Sequence, residues 1–182
     1  MGNIKTNYEQ ALFLFIFLII PTLSLAQPNF VGKWKSEEMK EGTEKVIIEF
    51  IFKDTTNMEM AFITDNAIPD VGRCVSRISV QGTYSVIGPL MFTEILMNTM
   101  IVDIKDFELI GEKAKKTPQS MIPTLKTYIK KQLEQSAMYL FAAYDGGSMI
   151  YATHEGTEDV ISFIIGDEEN AIDLKFTRQK SL

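Results

Sequence analysis

The sequence FVGKWK at residues 30–35 and the sequence FTR at residues 176–178 decide the fold that we predict for this chain. The last predicted strand alternates apolar and polar side chains, and Arg178 falls on its apolar side. A charged group at such a position needs a partner, and an aromatic ring can provide one by stacking. Trp34 lies on the first predicted strand. We therefore predict that Trp34 and Arg178 meet and close one end of a β-barrel.

The chain between these two stretches has the pattern of many short strands. In the clearest of them, the apolar face alternates with a polar one, as a half-buried antiparallel strand requires. That apolar face is formed by Ile78, Val80, Gly82, Tyr84 and Val86. The predicted strands span residues 30–36, 44–53, 57–64, 77–86, 90–96, 98–108, 138–144, 148–155, 158–166 and 172–178. This spacing indicates an all-β barrel or sandwich, and the predicted closure favours an antiparallel barrel of about eight to ten strands.

One segment departs from this pattern, because residues 117–137 predict a single amphipathic helix inserted among the strands. Its apolar positions recur at helical spacing, and its lysines lie off that stripe. The apolar residues are Ile122, Leu125, Ile129 and Leu133, and the lysines are Lys126, Lys130 and Lys131. We expect the helix to pack on the barrel wall as a lid or flank. A gate over a cavity mouth or a contact with a membrane surface is the alternative.

Residues 1–26 have the features of an export signal. Lys5 gives a weakly basic start, residues 11–20 are uninterruptedly apolar, and residues 24–26 are mostly small, as a cleavage site requires. The apolar run is short for a membrane span, which needs about 20 residues, although a retained signal anchor is the alternative. We expect residues 27–182 to form one domain that is exported to the periplasm or the exterior and has no stable membrane span.

Charge and cysteine content exclude several classes of protein. The formal net charge is −6, so a groove for nucleic acid is not expected. Cys74 is the single cysteine, which excludes an internal disulfide framework and leaves the fold dependent on its apolar core. We expect Cys74 to be a small buried hydrophobic residue, with a reactive thiol as the alternative.

The two stretches quoted first resemble the opening and closing strands of the calycins, the group of lipocalins and fatty-acid-binding proteins. The resemblance implies that Trp34 fills one end of the barrel and that Arg178 packs across it. Gly32 is consistent with it, because a residue without a Cβ allows another chain to approach closely. Fatty-acid-binding proteins place a helical pair after the first strand, and lipocalins place a helix before the last one. The chain is most similar to a bacterial lipocalin-like secreted domain.

The residues that carry enzyme or metal chemistry are scarce. His154 is the single histidine, no Gly-x-Ser-x-Gly motif occurs, and too few His and Cys residues exist for a conventional metal site. Methionine pairs such as Met58 with Met60 and Met97 with Met100 suit Cu(I). Filling of an irregular core is the preferred interpretation of these methionines. We predict no catalytic residues, no metal and no cofactor.

The strand pattern also predicts which side chains point into the barrel. A barrel of this size can enclose one small ligand or be filled by its own side chains, and the sequence leaves both possibilities open. The predicted inward, ligand-binding residues are Phe50, Phe52, Met60, Phe62, Tyr84, Phe92 and Tyr151, with Val102 beside them. They would form an apolar lining with two hydroxyl groups.

The preferred functional hypothesis is an exported lipocalin-like protein that binds a small hydrophobic or amphipathic ligand inside the barrel. The alternative is a protein-interaction or inhibitor module of the cell envelope, with a filled barrel and no ligand. Such a module would use the outer wall or the helix at residues 117–137. We expect no reaction to be catalysed in either case.

Overall fold

A computed structural model of the chain describes residues 29–68, 72–142, 144–154, 157–165 and 172–180. The predicted export signal lies outside these residues. The strands are β1 (Gly32–Ser36), β2 (Met39–Glu41), β3 (Glu44–Phe52), β4 (Asn57–Ile68), β5 (Gly72–Ile87), β6 (Leu90–Leu109), β7 (Ser148–His154), β8 (Thr157–Ile165) and β9 (Ile172–Gln179). The helices are α1 (Gly111–Lys116) and α2 (Ile122–Ala142), and a 3₁₀ turn (Gln119–Met121) precedes α2.

The strands form one antiparallel sheet that closes on itself. Neighbours in the sheet follow the order β1-β9-β8-β7-β6-β5-β4-β3-β2, and β1 also pairs with β3. Trp34 is thus opposite Arg178 of β9 on one side and opposite Phe50 of β3 on the other. The short strand β2 pairs with the beginning of β3. The predicted all-β barrel with one long inserted helix is confirmed.

The middle of the barrel is filled by aromatic side chains. The ring of Phe50 lies 5.2 Å from that of Phe176, 5.4 Å from that of Phe163 and 5.8 Å from that of Phe52, measured between centroids. All four rings are buried. Rings at these separations are in contact and stabilise one another beyond the burial of their surface. Of the two possibilities left open by the sequence, the filled core describes this part of the barrel.

The helix α2 covers one end of the barrel. Ala137 and Phe141 are fully buried on its inner face, and the ring of Phe141 lies 5.2 Å from that of Phe62 on β4. The turn after α2 is attached to β6, where the Thr93 hydroxyl donates to the Tyr144 carbonyl at 2.6 Å. The helix is therefore part of the fold and forms a lid at what we call the helix-covered end.

The boundary between α2 and the next predicted strand is corrected by the structure. The prediction of a strand at residues 138–144 is wrong, since α2 continues to Ala142 and residues 144–146 form a turn. The segment is rich in residues that favour strands, but Leu133, Ala137 and Phe141 extend the helical stripe and pack on the barrel. Burial of this stripe outweighs the local preference for a strand.

The two strands predicted at residues 90–96 and 98–108 are a single long strand, β6. The break predicted at residue 97 falls at a β-bulge, where the pairing with β5 shifts between Ser79 and Gln81. The Thr99 hydroxyl donates to the Leu96 carbonyl at 2.6 Å and accepts from the Gln81 amide at 2.9 Å. It therefore satisfies backbone groups that the bulge would leave unpaired.

Candidate functional site

The predicted contact between Trp34 and Arg178 is present at the end of the barrel opposite the helix. The guanidinium carbon of Arg178 lies 4.5 Å from the centroid of the Trp34 ring. Its two terminal nitrogens donate to the carbonyl oxygens of Val31 and Asn29, and the Trp34 indole donates to the Phe30 carbonyl at 2.7 Å. These bonds connect the last strand to the segment before the first one. The pair therefore closes the barrel.

Gly32 lies directly below this contact. Its φ of +133° is one that side chains with a Cβ rarely adopt, and a Cβ built there would come within 3.8 Å of Arg178 Nη1. The backbone conformation, more than the available space, therefore requires glycine. It turns the chain so that Phe30 can plug the closed end, where its ring meets that of Tyr151 edge-on at 5.0 Å.

Most of the predicted ligand-binding residues pack against one another. Phe50, Phe52, Met60 and Val102 are buried in the barrel interior. Tyr84 and Tyr151 lie at the closed end, where their hydroxyls donate to the carbonyls of Asp54 (2.7 Å) and Gly88 (2.9 Å). Phe62 is the member of the predicted set that lines an open space. Contact of the others with a ligand stays a prediction.

The prediction that Phe92 points into the barrel is wrong, because its side chain lies on the outer face. It is 37% exposed, whereas its neighbours Met91 and Thr93 are buried. The register with β5 places Phe92 opposite the exposed Ser85 and places Thr93 opposite the buried Tyr84. The strand was predicted correctly, but the largest apolar residue was assigned to the wrong face.

An open groove of about 1030 Å³ lies at the helix-covered end, between α2 and the rims of β2, β3, β4 and β9. Most of its lining is apolar. The apolar and aromatic lining residues are Met39, Val46, Ile48, Phe62, Tyr139, Leu140, Tyr144, Ile172 and Leu174, and the others are Lys40, Glu44, Thr64 and Ser136. Pockets for small molecules have a similar size and a similar mixture of apolar walls and a few polar groups.

Two hydroxyl-bearing side chains of the lining, those of Thr64 and Tyr144, lie close to Phe62. Thr64 on β4 shares a hydrogen bond of 2.8 Å with Ser76 on β5, hydroxyl to hydroxyl. Tyr144 lies in the turn after α2, and its ring is 6.1 Å from that of Phe62, the neighbour of Thr64 on the inner face of β4. Burial raises the pKa of the Tyr144 hydroxyl, which keeps it protonated and able to donate.

A second, smaller cleft of about 560 Å³ lies on the outer surface near Arg178. Its charged lining residues are Lys33, Lys35, Glu49, Arg178 and Lys180. Glu49, whose side chain is almost completely buried, lies 2.8 Å from the Lys33 ammonium and 3.6 Å from the Arg77 guanidinium. We interpret this cleft as the outer side of the closure between β1, β3 and β9.

The sequence predicted Phe62 as an inward, ligand-binding residue of the barrel, but it predicted neither the groove nor its other lining residues. The alternation of Ile172 and Leu174 was recognised, but it does not reveal which end of a strand lies beside a helix. Tyr144 was assigned to a strand, so that its position beneath α2 could not be foreseen. Met39 lies on a strand too short to give a period.

No protein-family model, curated protein or solved structure matches this chain.

Neither helix in the described ranges is long and apolar enough to cross a membrane. In the same ranges, no three His, Cys, Asp or Glu side chains lie together as metal ligands would. Cys74 is buried, and this burial raises the pKa of its thiol.

Proposed function

We propose that this protein binds a small hydrophobic or amphipathic molecule in the groove at the helix-covered end. The observation that carries the proposal is the groove itself, about 1030 Å³ with mainly apolar walls, beside a barrel interior that is filled with packed rings. The binding site is thus displaced from the middle of the barrel, where the sequence had placed it, to the space between α2 and the barrel rim.

Burial of an apolar tail would supply most of the binding free energy. Each buried CH₂ group contributes about 0.8 kcal/mol, so that a ten-carbon chain gains about 8 kcal/mol. Loss of translational and rotational freedom on association costs roughly 4–15 kcal/mol. Tail burial alone is therefore marginal, and we expect the hydroxyl groups of the groove to contribute to affinity.

The proposal includes a lipocalin-like, calycin-type assignment and export. The ring of antiparallel strands and the contact between Trp34 and Arg178 support the first. The apolar segment at residues 11–20, followed by small residues, supports the second. An exported binding protein would take up or shield a molecule of low solubility, and no bond of that molecule would be made or broken.

The groove is tested by a pair of substitutions on the same helix. Leu140 lines the groove and Met138 does not, although their exposed fractions are similar, 46% and 54%. Leu140→Glu should weaken binding of a neutral environment-sensitive dye such as Nile red by tenfold or more, and Met138→Glu should leave it within twofold. Equal effects of the two substitutions, or no dye binding to the unmodified protein, would contradict the proposal.

Exposed aromatic residues on α2 favour the second candidate, a protein-interaction module. Tyr128 and Tyr139 are exposed and lie along one line of the helix surface, as their spacing of eleven residues requires, and Tyr139 also borders the groove. A photoreactive residue at Tyr128 should then form a discrete protein adduct in the source cells, and one at Asp54, at the closed end, should not. If the protein binds the dye and no such adduct forms, the result favours the ligand proposal over the interaction module.

A further inference from the structure

We infer that the ligand of the groove has an uncharged polar group, a hydroxyl or carbonyl, and that the groove discriminates against an anionic head group such as a carboxylate. This inference rests on the proposed function and concerns the same groove. It depends on where the polar and charged side chains lie around the rim.

The order of strands separates an apolar side of the groove from a hydroxyl-bearing side. Around the barrel wall, β9 is followed by β1, then β3 with β2 beside it, and then β4. Leu174 on β9 and Met39 on β2 give the first part of this wall an apolar surface, and Val46 on β3, the strand partner of Thr64, lies at its boundary with the last part. Thr64 on β4 gives the last part a hydroxyl group. A bound amphipathic molecule would therefore place its tail toward β9 and its polar group toward β4.

The hydroxyl-bearing side can both donate and accept a hydrogen bond. Thr64 lines the groove, whereas Ser76 behind it is fully buried. Thr64 therefore offers a ligand its lone pairs when it donates to Ser76, and its proton when it accepts from Ser76. The Tyr144 hydroxyl donates no hydrogen bond to the described part of the chain, and its ring is partly buried under α2. A hydroxyl or carbonyl group meets complementary partners here at little desolvation cost.

The charges at the rim oppose a carboxylate. Glu44 follows the same face of β3 as Val46 and Ile48, and all three line the groove. Its strand partner on β4 is Asn66, two residues beyond Thr64, so the Glu44 carboxylate lies on the hydroxyl-bearing side. A second carboxylate placed there would be desolvated and repelled.

Among the described residues that line the groove, the cation is Lys40, and it would compensate such a charge only weakly. The ammonium group of Lys40 lies 3.3 Å from the Glu38 carboxylate, which it shares with Lys45 at 3.8 Å. Lys40 is also well exposed to solvent, where an ion pair contributes little. An acidic ligand would thus lose the hydration of its carboxylate and would gain no strong ionic contact in return. A ligand with an amine group, attracted by the Glu44 carboxylate, is the alternative, and the experiment must distinguish it from an uncharged ligand.

The test uses three molecules with the same ten-carbon tail, 1-decanol, decanoate and decylamine, each displacing Nile red at neutral pH. A carboxylate binds to any apolar groove more weakly than an alcohol does, because its charge is costly to desolvate. The decisive comparison is therefore between variants of the protein that bind the same molecule. Tyr144→Phe should weaken binding of 1-decanol about fivefold, as expected for one net hydrogen bond, and the control Tyr128→Phe should not. Glu44→Gln should tighten decanoate binding severalfold relative to the binding of 1-decanol by the same variant.

The possible outcomes distinguish this inference from the function on which it rests. Failure of all three molecules to displace the dye, or to bind at all, would reject the groove as a ligand site. Binding of decanoate as tight as that of 1-decanol would reject the preference for an uncharged group and leave the binding function standing. Tightest binding of decylamine, lost in Glu44→Gln, would also overturn the inference and would identify Glu44 as a cation-binding residue.

Discussion

Trp34→Ala is expected to lower the free energy of unfolding by about 3–5 kcal/mol, the range for removal of a large buried aromatic side chain. The Trp34 side chain is buried between β3 and β9 and donates a hydrogen bond to Phe30. Its removal would leave a cavity at the closed end and would deprive the Arg178 guanidinium of the ring that it covers. Denaturant unfolding followed by circular dichroism would measure the loss.

Two further variants separate the contributions at this position. Trp34→Phe keeps an aromatic surface beneath Arg178 and loses the indole hydrogen bond, so its effect should be about half as large or less. Tyr128→Ala, an exposed site on α2, should change the unfolding free energy by less than about 0.5 kcal/mol. A Trp34→Ala protein as stable as the Tyr128→Ala protein would show that the barrel does not depend on this closure.

Phe141→Ala is expected to cost about 3–5 kcal/mol, again because a fully buried ring is removed. Phe141 is the main anchor of α2, and its ring contacts Phe62, which also lines the groove. We therefore expect this variant to lose dye binding as well as stability, since the helix would no longer hold one wall of the groove in place.

Tyr139→Ala is the matched control for the stability effect of Phe141→Ala, and Met138→Ala, at an exposed site outside the groove, is the control for dye binding. Tyr139 lies two residues away on the same helix but is 83% exposed, so its truncation should cost less than about 0.5 kcal/mol. If truncation of Phe141 were as mild as that of Tyr139, α2 would be a loosely attached flank and not a lid. If Phe141→Ala lost stability but retained dye binding, the groove would have to be independent of the helix.

The closed end of the barrel could be predicted from sequence because its evidence is local. In a strand, alternate residues share a face, so that once residues 172–178 are identified as a strand, the position of Arg178 on the apolar side follows. A charged residue on that side needs a partner, and the resemblance of the two end strands to those of calycins pointed to Trp34 rather than to Phe30, the other aromatic residue of the first predicted strand. The structure places these two side chains in contact.

The groove could not be predicted in the same way because it depends on contacts between distant segments. Whether Phe92 or Met91 points inward is decided by register with β5, and a shift of one residue reverses the face. The extension of α2 through residues 138–142 depends on burial of Phe141 against Phe62 and outweighs local strand preference. The position of Tyr144 beneath the helix follows only from that extension.

The most direct measurement of where a ligand binds is a ¹³C-methyl methionine NMR spectrum, recorded with and without 1-decanol and assigned by Met→Leu substitutions. Met39 lines the groove, whereas Met60, Met91 and Met149 are buried in the barrel interior. We predict that the Met39 methyl signal shifts and that the signals of the three interior methionines do not. Shifts of Met60, Met91 and Met149 without a shift of Met39 would place the ligand inside the barrel and contradict the groove, and an unchanged spectrum would show that this ligand is not bound.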